Sequence, residues 1–491
     1  MMKTETPLPL DGARREFLQR SGQLAVGSAA LPLALNLAAI GEAAAADASD
    51  YKALVCIFLY GGNDCANTVV TYDTASYARY ATIRGGSGQS GGGLAIARAA
   101  LTPTLLTPTT PLPGGRQYAL HPSMAGLAGL FHAGHAAVQL NVGSLVVPVT
   151  RAQIDGGNRT LYPLPPKLFS HNDQQAVWQC LDDSFGATGW GGRIGDVLLS
   201  GNSRSTFTCI SAAGNASFLS GQVAMQYQIA STGPVRINSM RAPLYGSAAA
   251  QAAMATLVQR PSAHLLENEY VRITASAIAA ELEITSAMEV SASMQTQFPA
   301  GNDLGDQLKM VARLIAGRQV LGATKRQIFF VNLATFDLHD NATAQQPALL
   351  AKLSNALVAF YNSTVELGVA DQVTAFTSSE FGRTLAVNGD GTDHGWGSHH
   401  FVVGGAVKGT AFYGTAPPIS VGNTAAADDQ SHIGQGRLIP TTSIDQYAAT
   451  LARWFGVPDA QLNGILPNLA NFGAEAGRPD YPRDMGFMDQ A

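Results

Sequence analysis

Short continuous apolar runs occur at residues 54–60, 136–142, 206–210, 328–333, 372–376 and 401–403. A strand covered on both faces needs apolar side chains at successive positions rather than alternate ones, so these runs read as strands buried on both sides. Between several of them lie segments in which apolar residues recur at helical spacing, at 124–132, 303–321 and 346–367. Strand-like and helix-like segments in alternation predict an α/β fold, a mostly parallel sheet flanked by helices.

Two stretches break the pattern. Residues 84–115 start with a glycine run, Gly85-Gly86-Ser87-Gly88, and continue into a Pro/Thr-rich tract, so they read as a surface loop. Residues 215–300 contain an Ala-rich helical stretch over 262–295 and read as an inserted helical cap on one edge of the sheet. The N-terminal segment carries Arg14-Arg15-Glu16-Phe17-Leu18, then an apolar stretch near 24–40, then Ala44-Ala45-Ala46. This is the pattern of a twin-arginine export signal cleaved from the folded protein. The expected organisation is therefore a signal peptide over 1–46 and one α/β domain over 47–491, periplasmic or secreted, with no permanent membrane span after cleavage.

Charged residues make up 13% of the chain, the formal net charge is −5, and no basic stripe is visible. Nucleic acid is excluded as a partner on those grounds, whereas a protein partner stays open. Cys56, Cys65, Cys180 and Cys209 would sit in an oxidising compartment, where Cys180 with Cys209 is the pair to test first for a bridge. Cys56, inside an apolar strand, reads instead as a buried thiol.

The polar residues that carry chemistry follow the strand-like runs. Gly61-Gly62-Asn63-Asp64 ends the first, Asp337 and His339 follow the 328–333 run, and Glu380-Phe381-Gly382-Arg383 follows the 372–376 run. Strand ends in open α/β sheets are where ligands bind. Asp337 and His339 are two apart, so in extended chain they reach to the same side. The segment 393–400 places Asp393, His394, His399 and His400 among glycines and serine, and the whole chain has only 10 histidines. Imidazole and carboxylate together suit a divalent cation. His394 is the first choice of ligand there, then His399, with Asp393 as a ligand or as the partner orienting a histidine. Asp64 is equally well read as a helix cap, and Asn67 shares that turn. Arg383 reads as a partner for an anionic substrate or simply for Glu380. Ser170 opens a helical run with His171 and Asp173; it reads foremost as an N-cap, but a helix N-terminus also favours a negative oxygen, as on a nucleophile.

Taken with the leader, the motifs Leu59-Tyr60-Gly61-Gly62-Asn63-Asp64, Leu120-His121-Pro122, Ser170-His171, Ser379-Glu380-Phe381-Gly382-Arg383-Thr384 and Thr392-Asp393-His394-Gly395 resemble the DUF1501 family of exported bacterial proteins. That family is similar to the alkaline phosphatase and sulfatase superfamily. The resemblance implies metal ligands at Asp64, Asp337, His339, Glu380 and His394, with Ser170 in the nucleophile position. Asn67, His171, Arg383, Asp393 and His399 are additional candidates. The chain departs from the pattern in two places: Thr335-Phe336-Asp337-Leu338-His339 stands where the family commonly has Gly-Trp-Asp-x-His, and Glu380-Phe381 stands where the phosphatases have Asp-His. The second departure removes one imidazole from a two-metal site.

The expected activity is hydrolysis of a phosphate or sulfate ester, on a small molecule or a polymer, with a divalent cation polarising the ester and Ser170 or water attacking. Zinc suits the imidazoles, and calcium or magnesium suits the carboxylates, so the metal's identity stays open. The alternative is a non-catalytic exported structural or assembly protein that keeps the metal site. An exported oxidoreductase is a third class, but no dinucleotide or iron–sulfur motif supports it.

Overall fold

The computed structural model describes residues 51–85, 93–181, 188–234 and 242–489, all within one unit spanning Ala48–Ala491. The expected leader lies outside the described residues. Among the described residues twelve strands are formed: β1 (Lys52–Leu59), β2 (Val69–Thr71), β3 (Leu105–Leu106), β4 (Tyr118–Leu120), β5 (Ala136–Gly143), β6 (Cys209–Ser211), β7 (Tyr227–Gln228), β8 (Arg326–Leu333), β9 (Val373–Ser378), β10 (Ser398–Gly404), β11 (Ala411–Tyr413) and β12 (Thr442–Ser443). Nine of them build the main sheet in the order β11-β5-β10-β9-β1-β8-β6-β7, with β12 also pairing β5. The pairs β1–β8, β1–β9, β6–β8, β6–β7, β5–β11 and β5–β12 are parallel, and β10 alone runs antiparallel to its neighbours β9 and β5.

The continuous apolar character of β1 has a direct structural cause, since all eight of its residues are buried. Ala53, Val55, Ile57 and Leu59 enter one core, whereas Leu54, Cys56 and Phe58 enter the core on the other face. Helices Ala125–His132, Asp303–Ala316 and Ala342–Glu366 close the first core. Helices His171–Cys180, Trp190–Leu198 and Ile444–Phe455 close the second. Covered on both faces, the central strands have no solvent side on which alternation could be written.

Short elements depart from the expectation. Part of the stretch 84–115 is ordered as helix Arg98–Leu101 and as β3, which joins β2 and β4 in a separate antiparallel three-stranded sheet. Residues 86–92, the glycine run, lie outside the described residues. Strands of two or three residues are too short to show a period, which hid this sheet. Within 215–300 the chain first adds β7 at the sheet edge and then forms helices Ala248–Val258 and Leu265–Val290. Ala280, Ile284 and Ala287 of the longer helix are buried, while Leu265, Leu266 and Tyr270 are exposed. Among the described residues no helix is long and apolar enough to cross a membrane. All four cysteines are buried free thiols, so Cys180 and Cys209 are not bridged; Cys56 is within hydrogen-bond distance of Ser378 Oγ (3.3 Å).

Buried histidines set the acid response of the fold. Desolvation lowers His121 to about 4, His399 to about 4 and His400 to about 3. The unfolded chain therefore takes up protons at these sites before the folded one does, so their contribution is complete above the ordinary value of 6.5 and is lost as pH falls toward 4. Buried Asp445 acts in the opposite sense, because desolvation raises it from 3.8 to about 6 and its ionisation opposes folding as pH rises through that interval. Buried His432 is lowered by desolvation as well, so the buried histidines outnumber Asp445 and, at no more than about 1.4 kcal/mol per pH unit each, give a net loss of stability on acidification. Urea midpoints measured from pH 7 to pH 4 should fall steadily; a flat profile would show that these rings are not buried neutral.

Candidate metal centre

Because β8, β1 and β9 are adjacent and parallel, the turns that follow Leu333, Leu59 and Ser378 leave the sheet at one edge. Gly61 ties these turns together. Its φ of +115° lies in the region that favours glycine, and a Cβ placed there would stand 2.2 Å from the Asp337 backbone nitrogen. Its N–H donates to Glu380 Oε1 (2.8 Å), and its carbonyl accepts from Arg383 Nη1 (3.2 Å). Phe336 N–H donates to the Tyr60 carbonyl (3.0 Å), just after Thr335, which is held at a φ of 76°. Non-glycine residues at positive φ are strained and persist where their surroundings hold them.

Asp337 is the centre of what these turns assemble. Its Oδ1 lies 3.1 Å from His339 Nε2 and 3.2 Å from His394 Nε2, and those two nitrogens are 3.0 Å apart. Its Oδ2 lies 3.2 Å from His171 Nε2. The opposite nitrogens of two rings fix their tautomers. His394 Nδ1 meets the Phe169 carbonyl (2.8 Å), which can only accept, so this nitrogen carries the proton. His171 Nδ1 meets Glu380 Oε1 (2.9 Å) and donates likewise. In the neutral rings both Nε2 atoms then lack a proton and are turned toward a carboxylate; His394 Nε2 can accept from His339 Nε2–H (3.0 Å), whereas His171 Nε2 makes no hydrogen bond within the described residues. Lone pairs facing a carboxylate repel unless a cation or a proton lies between them.

One ligand atom each from His171, Asp337 and His394 falls within 4.8 Å of the others, a spread that one ion can span. Donors bound at 2.0–2.1 Å in a tetrahedron stand about 3.3 Å apart, close to the separations around Asp337. A set of imidazoles and one carboxylate suits zinc or another borderline divalent metal better than calcium or magnesium. Electrostatics agree with the geometry. Burial pushes the Asp337 carboxyl up, but the Arg383 guanidinium, which donates to Oδ1 (2.6 Å), and the neighbouring histidines hold it below its ordinary value. The hydrogen bond to Glu380 raises His171, whereas burial lowers His394.

Several residues expected at the site have other duties. Asp64 stands outside the cluster: Arg84 engages both its oxygens (2.5 and 2.9 Å), and Oδ1 also caps helix Cys65–Thr68 through Ala66 N–H. Its turn closes on a guanidinium rather than opening toward an ion. Asn67 bonds the Leu94 carbonyl and the Tyr80 hydroxyl. Glu380, buried, accepts from Gly61 N–H, His171 and Gln175 through Oε1, so it stands behind His171 as the group that orients the ring. Arg383 is spent on Asp337, Gly61 and Thr392. Asp393 Oδ1 approaches His339 Nδ1 (3.5 Å) and accepts from Asn388. His399 points away into the fold, where its Nδ1 accepts from Asn141 N–H. Ser170 is the N-cap residue of helix His171–Cys180, but its hydroxyl donates to Asp173 Oδ2 (2.5 Å) instead of accepting from the helix backbone.

The structure thus gives His171 a central place that its sequence position made only an additional candidate. The Phe169 carbonyl and Gln175 carried no signal at all, because a backbone acceptor has no residue type and an isolated glutamine has no motif. Residues 51–466 match the family described as "Protein of unknown function (DUF1501)". No curated protein matches the chain.

Proposed function

Because the chain belongs to the DUF1501 family, whose description assigns no activity, we propose from the site itself that it is an exported, metal-dependent hydrolase of phosphate or sulfate esters. The observation that carries this reading is the convergence of imidazole nitrogens on Asp337, with the unprotonated His171 Nε2 making no hydrogen bond within the described residues. His171, Asp337 and His394 would hold the cation, with His339 beside them. Such a cation supplies Lewis acidity toward an ester oxygen and makes a bound water more acidic. The protein's own part is to keep the donors fixed: Glu380 and the Phe169 carbonyl lock two rings, and Arg383 locks the carboxylate. Ser170 adjoins His171 in the chain, and its hydroxyl already donates to Asp173, which can accept the proton when the oxygen attacks. The twin-arginine leader supports export, and the site at the ends of parallel strands supports the likeness to phosphatases and sulfatases.

The test combines elemental analysis of the purified protein with turnover of a phosphomonoester, a phosphodiester and a sulfate ester before and after chelation. We expect about one zinc-like ion per chain and metal-dependent turnover of at least one ester. His394→Ala should lower the rate by 100-fold or more, on the order of 3 kcal/mol, with little change in melting temperature. Full activity after exhaustive chelation, or no turnover with metal bound, would overturn the hydrolase reading. Exposed Leu265, Leu266 and Tyr270 favour a second reading, an assembly protein that retains the ion. In that case His394→Ala would disturb folding or assembly while no ester was ever turned over.

A further inference from the structure

We infer that Arg437 is the anion-recognition residue of this site and that the ester it selects carries a single negative charge at the reacting group; the inference rests on the metal-centre reading above. Arg383, the obvious cation, cannot meet a substrate, because its Nε donates to Thr392 Oγ1, its Nη1 to Gly61 and Asp337, and its Nη2 to the Thr392 carbonyl. Arg437 is placed differently. Its Nε donates to the His394 carbonyl (2.8 Å), and its guanidinium carbon lies 5.2 Å from the centre of the Phe169 ring. It therefore touches both residues that define the His394 ring: His394 itself and Phe169, whose carbonyl holds Nδ1. One edge of the guanidinium is anchored, the face is packed on an aromatic ring, and the terminal nitrogens make no hydrogen bond within the described residues. A planar fork held in this way is suited to two oxygens of a tetrahedral anion.

The charge balance narrows the substrate. Asp337, Glu380 and Asp393 contribute three carboxylates, and Arg383 and Arg437 two guanidinium groups, while Lys167 and Asp173 pair with each other. The protein alone is then negative by one charge at the site, and one divalent cation makes it positive by one. That matches the monoanion of a sulfate monoester or a phosphodiester better than the dianion of a phosphomonoester. Sulfate monoester and phosphodiester share this charge, and their separate turnover tells them apart.

The experiment measures binding of methanesulfonate, a tetrahedral monoanion that is not hydrolysed, by the zinc-loaded protein through thermal shift, together with kcat and KM for the three ester classes, in the wild type, Arg437→Gln and Arg437→Lys. Loss of a charge-assisted hydrogen bond should weaken methanesulfonate binding and raise KM for the monoanionic esters about 10- to 100-fold. Zinc content and melting temperature of the metal-loaded, methanesulfonate-free protein should stay at wild-type values, and the lysine variant should recover part of the loss. Methanesulfonate binding that depends on Arg437 without turnover of any ester supports the anion-recognition role of Arg437 and removes the hydrolase reading together with the ester selection that rests on it. Methanesulfonate binding unchanged in both variants, zinc lost in step with methanesulfonate binding, or a wild-type preference for the phosphomonoester would each overturn it.

Discussion

Asp64→Asn lowers the free energy of unfolding by about 3–5 kcal/mol, the range found when one partner of a buried ion pair is removed and the other charge stays behind. Arg84 has no exposed surface, and Asp64 is only 6% exposed, so solvent does little to screen the pair. The guanidinium also donates from Nε to the Leu385 carbonyl (3.1 Å) and from Nη2 to the Thr384 carbonyl (2.8 Å). It therefore joins the turn after β1 to the segment following Arg383. Asparagine can still cap helix Cys65–Thr68, which makes the charge, not the cap, the main loss. The paired replacement Asp64→Leu with Arg84→Met should be milder than the single change, because no lone charge is left buried. Urea denaturation measures both. A loss below about 1 kcal/mol for Asp64→Asn, accompanied by loss of bound metal, would restore Asp64 to the role its strand-end position suggests and refute the structural one.

The contrast between Asp64 and Asp337 shows what the sequence could and could not tell. Both follow an apolar strand, and both turns leave the same edge of the sheet. Continuous burial wrote β1, β5, β8, β9 and β10 into the chain as apolar runs, which is why the sheet was legible. The two carboxylates differ only in their partners. Arg84 ends helix Thr74–Gly85 with no motif around it, so nothing in the sequence revealed that it would claim Asp64. Asp337, His339 and His394 were legible as a group because imidazoles and a carboxylate at strand ends are candidate ligands, and the structure brings the three together. Glu380 was legible as a site residue but not in its duty: that its carboxylate would turn to the Gly61 N–H and to His171 depends on a register spanning distant strands. His399 and His400 share a glycine loop's neighbourhood with His394, yet both belong to β10, where each is buried among other elements. Clustering in sequence thus overstated how many imidazoles could face one ion.

At the proposed zinc site, Asp337→Asn should remove most of the response of stability to zinc. Among the described residues the carboxylate alone is placed against His171, His339 and His394 together, and its loss should weaken zinc binding by at least about 100-fold, the upper end of what even outer residues of metal sites contribute. At a free zinc concentration of about 100 times the wild-type dissociation constant, binding stabilises the folded wild type by about 2.7 kcal/mol; with 100-fold weaker affinity the increment shrinks to about 0.4 kcal/mol. The increment is measured against each variant's own chelated state, which separates it from the baseline. That baseline falls as well, because Arg383 has no exposed side-chain surface and keeps an oxygen acceptor in asparagine but loses its counter-charge. Asp337 is 42% exposed, so solvent screening keeps the baseline change well below that of Asp64→Asn. The new amide nitrogen would meanwhile donate to His171 Nε2, which makes no hydrogen bond within the described residues, and so occupy the lone pair a cation would need. Thermal or urea unfolding with zinc and with chelator reads the two quantities separately. A zinc increment in Asp337→Asn equal to that of the wild type would mean that the converging nitrogens do not hold a metal.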